Sequence, residues 1–568
     1  MYLSPFKNIF LLHIVYIISF SFLLTSCSES TQRNSSNHNT SNNSTTNTPT
    51  YKYSNKSNKP NIIIIMTDDS GYSDLGSYGG EIATPNLDKL AENGMRFKNC
   101  YNNGKCSPTR ASLLTGQYPQ KVGAGDLCRL QNETDLPGYL GYLNPNFPTL
   151  PQILKDNGYH TLMSGKWHLG GERVSDQLEN GFPKPLATEY AKWPLGKGFE
   201  KFFGLIHGAS GMYKPWPDRP YTYGTQVYDT QKHEGEFYNT DVFTDFALKF
   251  LDQIREKDGN PFFLYLPYTA PHNPLEAPKE VIQKYIDTYN TPEKLEAIKR
   301  KRFDALIKEG LIPKNWTYNK AYYSKLFKTN KNINGKQLSK LSYELATYAA
   351  MLDILDQNVG RLVQKLEAMG ELDNTLILYL SDNGADGPGR CDIFNSPYYG
   401  VKTSLREGGI KSHLIAHWPK GISTKGTISD QQVHVIDIMP TCLNIANANY
   451  PKKYRKSNNL SMQGLNLLDN LTKNTLIERK YLFWDLYGQQ AVIYNDHWKW
   501  YNDSTHKDFL FDLKNDGTET ANLAPKNPDI IDKLKKAHAI FVKQNNIVPH
   551  KTLKAAQANN QWHQKNDK

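Results

Sequence analysis

Two short apolar runs that end directly in acidic residues constrain the fold of this chain more than any other feature. The run at residues 61–66 is NIIIIM and leads through a threonine into two aspartates. The run at residues 375–380 is TLILYL and leads through a serine into Asp-Asn. A continuous apolar run of this length, without polar alternation, is typical of a strand that is buried on both faces. Such strands occur in parallel sheets covered by helices, so we expect an α/β fold.

The order of the remaining patterns predicts two structured regions. The chain has 568 residues, which exceeds one ordinary core and favours a large domain with a smaller one appended. Strand-like and helix-like segments alternate up to residue 448, and short strand-like runs joined by turn residues follow. We expect a large mixed, mostly parallel sheet flanked by helices at 61–448, a smaller C-terminal antiparallel sheet plus helix subdomain at 449–550, and a tail at 551–568.

The polar residues that follow the two apolar runs predict a metal site. They are Asp68, Asp69, Asp382 and Asn383. Because open α/β sheets place their sites beyond the carboxyl ends of the strands, we expect these side chains to meet. Three carboxylates and one amide oxygen suit a hard cation such as Ca²⁺ or Mg²⁺. For an Asp-Asp pair taken alone, a turn or a helix cap is the alternative.

The segment at residues 106–116 has the sequence CSPTRASLLTG. Cys-x-Pro-x-Arg followed by ASLLTG resembles the signature of the sulfatase family. In that family the cysteine is oxidised after translation to formylglycine, an aldehyde. The resemblance implies the same modification of Cys106 by a formylglycine-generating maturation enzyme. A structural cysteine is the alternative for Cys106 taken alone.

Further segments resemble the same family, in the family's own order. They are Asp68-Asp69, GKWHLG at 165–170, APHNP at 270–274, Asp382-Asn383-Gly384, YGVK at 399–402 and REGG at 406–409. The resemblance extends from Asn61 to about Leu523. It implies a sulfuric ester hydrolase of the alkaline-phosphatase-like superfamily, acting on sulfated carbohydrates or aryl sulfates.

The resemblance also implies a nucleophile and a cofactor. Hydration of the aldehyde at position 106 gives a gem-diol, of which one hydroxyl attacks sulfur and the other later expels sulfate. One Ca²⁺ per chain would orient the diol and lower its pKa. The residues implied as its ligands are Asp68, Asp69, the modified Cys106, Asp382 and Asn383.

Five further residues receive catalytic roles from the resemblance. Lys166 and Lys402 are cations suited to the sulfuryl oxygens. Arg110 lies one helical turn after the nucleophile and would hold the diol. His168 is the implied base that drives sulfate expulsion, and His272 is the implied acid for the leaving oxygen. The roles of the two histidines can be exchanged.

Two segments, residues 127–143 and 210–236, match no family motif. Because loops on a rigid scaffold usually carry specificity, we expect the substrate to contact them. Their aromatic and charged residues include Arg129, Tyr139, Tyr142, Trp216, Arg219 and His233.

Two other functions are alternatives to sulfate ester hydrolysis. Phosphatases and phosphodiesterases of the same superfamily usually bind two transition metals through histidines, whereas the second pair here is Asp382-Asn383, which favours one hard cation. A surface lipoprotein that only binds sulfated glycans would be expected to lack the nucleophile or a metal ligand, and the sequence retains them all. Metal analysis with sulfatase and phosphatase assays separates the three functions.

The N-terminus has the pattern of an export signal. Lys7 precedes an apolar stretch at residues 9–24, which is shorter than the ~20 residues that a spanning helix needs. The stretch ends in Leu-Thr-Ser-Cys27, which resembles the bacterial lipobox. We expect a signal peptide at 1–26, then a lipid anchor on Cys27 and a polar tether at 27–60. The protein would be an exported bacterial lipoprotein, anchored to a membrane and facing the periplasm or the cell surface; an ordinary signal peptide is the alternative.

Charge and cysteine content exclude some other classes. The net charge is +11, but the basic residues form only short runs, which are typical of solvated surfaces, so no nucleic-acid partner is expected. The six cysteines contain no C-x-x-C pair, which argues against a zinc ribbon or a thioredoxin-type site. An oxidising compartment would allow a disulfide among Cys100, Cys128, Cys391 and Cys442.

Overall fold

The computed structural model describes residues 58–316, 318, 335–387 and 389–560. The predicted signal peptide, Cys27 and nearly all of the tether lie outside the described residues. The strands are β1 Asn61–Thr67, β2 Met95–Tyr101, β3 His160–Lys166, β4 Val174–Glu179, β5 Phe182–Pro185, β6 Lys201–Leu205, β7 Tyr221–Tyr223, β8 Gln226–Val227, β9 Phe262–Pro267, β10 Thr375–Ser381, β11 Lys411–Ser412, β12 Leu414–His417, β13 Thr427–His434, β14 Lys453–Tyr454, β15 Ser457–Asn458, β16 Tyr481–Leu486, β17 Gln489–Tyr494, β18 Trp498–Asn502 and β19 Asp508–Asp512.

The helices connect these strands and cover the sheet faces. They are α1 Pro85–Glu92, α2 Cys106–Thr115, α3 Leu150–Asp156, α4 Asn239–Arg255, α5 Lys279–Ile286, α6 Pro292–Lys308, α7 Gly335–Ala368, α8 Arg390–Phe394, α9 Glu407–Ile410, α10 Ile438–Ile445, α11 Leu468–Lys473, α12 Pro528–Gln544 and α13 His550–Ala558. Within the described ranges, none of them combines the length and the apolarity that crossing a bilayer requires.

The large sheet has a parallel centre and antiparallel flanks. Its strand order is β11–β2–β12–β10–β1–β9–β3–β6–β7–β8, and β13 pairs with β2. The five strands from β10 to β6 are parallel to one another, whereas β12 and β7 join their outer edges antiparallel. The register pairs Thr67 with Ser381, so β1 and β10 end at the same level. The mixed sheet predicted from the two apolar runs is confirmed.

Both faces of the central strand β1 are buried. Ile62, Ile64 and Met66 pack into one core cluster with residues of α2, α3 and α10, while Ile63 and Ile65 pack into another with residues of α4 and α7. All five side chains are fully buried. Burial of each is worth roughly 1.5–3 kcal/mol, which explains why the run has no polar alternation.

The C-terminal subdomain is the predicted antiparallel sheet with a helix. Strands β16 to β19 pair in sequence order. Trp500 and Leu510 on one face pack against Leu534 of α12. On the other face, Trp484 donates a hydrogen bond from Nε1 to the carbonyl oxygen of Asn102, at 2.7 Å. This subdomain therefore packs directly on the chain segment that leads into α2.

A buried ion cluster also joins the C-terminal sheet to the catalytic domain. Lys499 of β18 places its Nζ 2.7 Å from Glu407 and 2.9 Å from Glu519. Glu407 is the acid of the REGG segment, and all three side chains are almost completely buried. Glu407, which lies in a segment that resembles the family, thus contacts Lys499, a residue 92 positions later in the chain.

The structure adds two details that the sequence left open. The first residues of the expected tail form α13, in which Leu553 and Gln557 are buried, and Gln557 donates a hydrogen bond to Asp126. A nine-residue helix with so few apolar anchors gives little periodic signal in the sequence. Among the described cysteines no disulfide forms, and all five are free thiols: Cys100, Cys106, Cys128, Cys391 and Cys442.

Candidate active site

The carboxyl ends of β1 and β10 bring the four predicted metal ligands together. Because these strands end in register, Asp68 and Asp69 leave the sheet beside Asp382 and Asn383. The backbone N–H of Asp69 donates to Oδ1 of Asp382 at 3.3 Å, and Nδ2 of Asn383 donates to Oδ1 of Asp69 at 2.6 Å. All four side chains are buried. The four residues predicted from the strand ends therefore form one cluster in the structure.

Cys106 is the first residue of α2, a helix whose ten residues are all buried. Its Sγ lies 3.7 Å from Oδ1 of Asp68. Arg110, one turn later, donates to Oδ2 of Asp382 from Nε and Nη2, at 3.1 and 2.8 Å. The helix N-terminus directs its positive dipole end toward position 106 and favours negative charge there.

Two lysines converge on the same carboxylates from different elements. Lys166, the last residue of β3, forms a buried ion pair with Asp68. Lys402 lies after α8 and places its Nζ 2.6 Å from Oδ1 of Asp69. Both lysines are almost wholly excluded from water. Cationic groups from the end of a strand and from a loop therefore accompany the acidic cluster.

The two predicted histidines lie beyond β3 and β9. Nε2 of His272 is 3.7 Å from Oδ2 of Asp69, and its Nδ1 is 2.6 Å from the carbonyl oxygen of Asn273. His168 has a left-handed backbone with φ of 56°, and its buried Nδ1 has no hydrogen-bond partner among the described residues. Positive φ in a histidine costs free energy and is characteristic of functional sites.

The charges of the cluster shift the pKa values of its members in different directions. Burial raises the pKa of Asp68, but the surrounding charges, with Lys166 the largest among them, together outweigh it and hold that pKa well below its usual range. Burial and the charge of Asp68 raise the pKa of Asp382 to about 7. For His168, burial and then the Lys166 charge lower the pKa well below its usual value. His168 is therefore neutral at neutral pH and able to accept a proton.

The donor set fits a hard cation. One ligand atom from each of Asp68, Asp69, Cys106 and His272 lies within 4.8 Å of the others. Two further atoms, Oδ2 of Asp69 and Oδ1 of Asn383, are buried without a hydrogen-bond partner among the described residues. Buried oxygens of this kind are costly unless something satisfies them. Asp382, a predicted ligand, is not among these four residues, and its carboxylate contacts Arg110. His272, which the sequence predicted only as a general acid, is among them.

A cavity of about 340 Å³ opens over this cluster. Cys106, His168, His272 and Lys402 line it together. Of the charged and aromatic residues singled out in the two unmatched loops, Arg129 and Arg219 also line it. The other four lie outside its lining: Tyr139, Tyr142, Trp216 and His233. The expectation that both loops contribute to the cavity is therefore met by their arginines.

Several cavity residues were missed by the sequence reasoning, and they include two titratable side chains. Glu172 and His207 both line the cavity. Nδ1 of His207 is buried without a hydrogen-bond partner among the described residues, and burial lowers the pKa of His207 to about 4. His207 lies two residues after β6, so the rule that sites follow strand ends would have identified it.

Comparison with known proteins agrees with this geometry. The family model named Sulfatase matches residues 60–448. An uncharacterized sulfatase of Schizosaccharomyces pombe is 30% identical over 557 residues, covering 87% of this chain and 95% of that protein. The arylsulfatase of Klebsiella aerogenes is 29% identical over 446 residues, covering 72% of this chain and 92% of that protein.

A solved structure shares the fold over nearly the same extent. The crystal structure of Ps i-CgsB in complex with k-i-k-neocarrahexaose has a TM-score of 0.64 and 24% identity, and covers 89% of this chain and 99% of that one. The family predicted from the motifs is thus confirmed by the family model and by the relatives. This chain belongs to the sulfatase family and is a sulfuric ester hydrolase.

Proposed function

We propose that the protein removes sulfate from sulfated carbohydrates, with formylglycine at position 106 as nucleophile and one bound Ca²⁺. The observation that carries this proposal is the position of Cys106. It begins the buried helix α2, its Sγ is 3.7 Å from Asp68, and it shares one cavity with His168, His272 and Lys402.

The proposed modification supplies what a cysteine lacks. A hydrated aldehyde offers one hydroxyl to attack sulfur and a second whose deprotonation releases sulfate, whereas a thiol or a serine hydroxyl would retain the sulfate. The side chain of Cys106 is buried, and burial raises the pKa of its thiol, so the unmodified residue is a poor thiolate nucleophile. The maturation enzyme must therefore act before the fold closes around α2.

The residues proposed to hold Ca²⁺ are those at the two strand ends. Asp68, Asp69, Asp382 and Asn383 provide oxygen donors, and residue 106 lies beside them. When bound, the cation would neutralise their charge and stabilise an anionic oxygen at position 106. The unpartnered oxygens of Asp69 and Asn383 support this assignment, and oxygen donors favour Ca²⁺ over a pair of zinc ions.

The remaining polar residues are proposed to bind the sulfuryl group and move protons. Lys402, which lines the cavity, and Lys166, which is buried beside Asp68, are the ammonium groups proposed to neutralise sulfuryl oxygens. Neutral His168 is suited to remove a proton from the group at position 106. The carbonyl of Asn273 only accepts hydrogen bonds, so Nδ1 of His272 carries a proton. Nε2 of His272 is then the atom proposed to protonate the leaving oxygen.

Burial and the charge of Lys402 lower the pKa of His272. A general acid must carry a proton to donate, so a lowered pKa works against this role of His272. The negative sulfate ester supplies a nearby anion that favours the charged imidazolium when it binds. We therefore propose that His272 becomes protonated together with substrate binding.

A carbohydrate substrate is supported by the cavity and by the relatives. The cavity volume lies in the range that accommodates small molecules, and its lining is rich in polar and cationic side chains. The similar protein Ps i-CgsB was crystallised with a neocarrahexaose. Aryl sulfates are expected to serve as substrates as well, since an arylsulfatase is among the relatives.

We also propose that the enzyme is exported and anchored to a membrane through a lipid on Cys27. The apolar segment, the lipobox-like tetrapeptide and the polar tether support this proposal. Incorporation of labelled palmitate into the wild-type protein, and its loss in Cys27→Ala, would test the anchor. A mature N-terminus elsewhere would overturn it.

The experiment that tests the activity is sulfate release from a panel of defined sulfated oligosaccharides and nitrophenyl sulfate. The protein should be produced in a host that contains the maturation enzyme, with Cys106→Ala as the inactive control. Phosphate release from the matching phosphate esters is measured in parallel. Phosphate release that exceeds sulfate release would contradict the proposal.

A further inference from the structure

The cavity that contains Cys106 extends beyond the catalytic cluster into the two loops for which the family motifs give no role. Arg129 comes from the loop at 127–143, and Arg219 comes from the loop at 210–236; both line the cavity. Its volume of about 340 Å³ suits a small molecule rather than a single sulfate ion. The two arginines therefore border the space into which the rest of a substrate would extend.

Arg129 forms no ion pair within hydrogen-bond distance in the described part of the chain, although its charge acts on Glu172. Its Nε donates to the amide oxygen of Asn132 at 2.9 Å, which is a neutral contact and leaves the other guanidinium N–H groups available. The residue is exposed at the rim of the cavity. A guanidinium in this state can form a bidentate contact with a sulfate or a carboxylate.

Arg219 is held in place but weakly neutralised. Its guanidinium carbon is 4.9 Å from the centre of the Trp216 ring, which fixes the orientation of the plane. Nε is 3.4 Å from Asp218, whose side chain is 72% exposed. A pair of this kind in water contributes little, so the charge of Arg219 remains effective toward a ligand.

Acidic residues do not cancel this positive field. Of the cationic residues that line the cavity, Lys402 pairs with Asp69, which leaves Lys105, Arg129 and Arg219 against the carboxylates Glu172 and Asp218. Glu172 accepts a hydrogen bond from the backbone N–H of Leu130 at 3.2 Å. Burial raises the pKa of Glu172 to about 7, so its negative charge is only partial at neutral pH. The excess charge is positive on the side formed by the two loops.

We propose that Arg129 and Arg219 bind a second anionic group of the substrate, so that the enzyme prefers carbohydrates that carry an anion besides the sulfate ester that is hydrolysed. This inference rests on the proposed function, since it concerns the same cavity. The second anionic group would be a sulfate or the carboxylate of a uronic acid. Both are oxyanions that accept hydrogen bonds from N–H donors.

The test compares substrates that differ in one group only. Oligosaccharides are first screened for release of sulfate by the matured full-length enzyme. A productive substrate is then compared with analogues in which one neighbouring hydroxyl is replaced by a sulfate or by a carboxylate. The wild-type enzyme should show a kcat/KM at least about tenfold higher for an analogue with the second anion, mainly through KM.

The variants Arg129→Gln and Arg219→Gln should each reduce that preference about tenfold. Arg219→Lys keeps the charge but loses the bidentate geometry and should retain part of the preference. Arg300→Gln is the matched control, because Arg300 pairs with Asp304 on an exposed helix surface, and it should leave the preference unchanged. The measured quantity is the ratio of kcat/KM values, so a uniform loss of activity does not imitate the result.

The outcomes separate the subsite from the activity. A preference for the second sulfate, or for the carboxylate, that the arginine variants abolish supports the subsite and identifies its anion. Release of sulfate without any preference overturns the subsite while the proposed activity stands. An equal loss of kcat/KM for all analogues in the arginine variants also overturns it. No sulfate release from any substrate by enzyme with modified Cys106 overturns the proposed function itself.

Discussion

Nζ of Lys402 lies 2.6 Å from Oδ1 of Asp69, and both side chains are only 3% exposed. The lysine proposed to bind sulfuryl oxygens therefore contacts a carboxylate proposed to hold Ca²⁺. Burial alone lowers the pKa of Lys402, but the surrounding negative charges, with Asp69 the largest among them, together outweigh it and hold that pKa well above the usual range. A cation that takes over Asp69 would free the charge of Lys402 for the substrate, which links metal binding to sulfate binding.

Removal of the metal should inactivate the enzyme and lower its melting temperature. Binding of an ion to the folded state alone stabilises it by RT ln(1 + [L]/Kd), which is ~2.7 kcal/mol at a hundredfold excess over Kd. Calcium added back after dialysis against a chelator should restore the activity and the melting temperature. Elemental analysis of the restored enzyme should give one Ca²⁺ per chain. Asp69→Asn should show weak metal binding and low activity together. Two zinc ions in purified active protein would contradict the assignment.

Gly208→Ala should disable the site through His168. A Cβ at position 208 would lie 2.6 Å from Cε1 of the His168 ring, so the ring must move. A displacement of about 1 Å of a catalytic group can cost ~10²-fold in rate. We expect kcat to fall by about that factor with little change in the melting temperature. Gly335→Ala is the control, because a Cβ there meets no atom of the described residues within 4 Å. Equal activity of the two variants would exclude this role of Gly208.

The two histidines should respond differently to the leaving group. His272→Ala should reduce hydrolysis of a sulfated sugar by ~10²–10⁴-fold and affect a nitrophenyl sulfate far less, because a nitrophenol leaves without a proton. His168→Ala should accumulate the sulfated enzyme and produce a burst of nitrophenol followed by a slow phase in rapid-quench kinetics. A burst in His272→Ala, with leaving-group dependence in His168→Ala, would reverse the assignment.

Lys499→Met should destabilise the protein without altering the catalytic residues. The change leaves Glu407 and Glu519 buried without their shared cation, and loss of one partner of a buried ion pair typically costs 3–5 kcal/mol. Calorimetry should show a large fall in melting temperature. The control is Lys480→Met at an exposed position, which should leave the melting temperature nearly unchanged. Similar melting temperatures for the two variants would show that the cluster contributes little.

The fold and the acidic cluster were predictable because they depend on local sequence. A doubly buried strand requires a continuous apolar run, and the residue after such a strand lies at the sheet edge, so Asp68 and Asp382 follow from the pattern. His207 follows the same rule, but β6 is only five residues long and contains a glycine. Its apolar signal is therefore weaker than that of β1.

Contacts that depend on how distant segments pack were not predictable. Arg129 and Arg219 are 90 residues apart in the numbering, yet both line the same cavity. The pairing of Lys499 with Glu407 likewise joins β18 of the C-terminal sheet to the helix α9 of the catalytic domain. No periodicity or motif in a single sequence encodes such distances, because side-chain contacts at long range are set by the packed core.

The central claim is that Cys106 becomes formylglycine, and the most direct test is the mass of the peptide that contains it. Protein produced with the maturation enzyme should yield a tryptic peptide ending at Arg110 that is about 18 Da lighter than the cysteine form, since sulfur and two hydrogens are replaced by oxygen. Sulfate release should scale with the modified fraction across preparations. Fully active enzyme in which every molecule retains unmodified Cys106 would contradict the account.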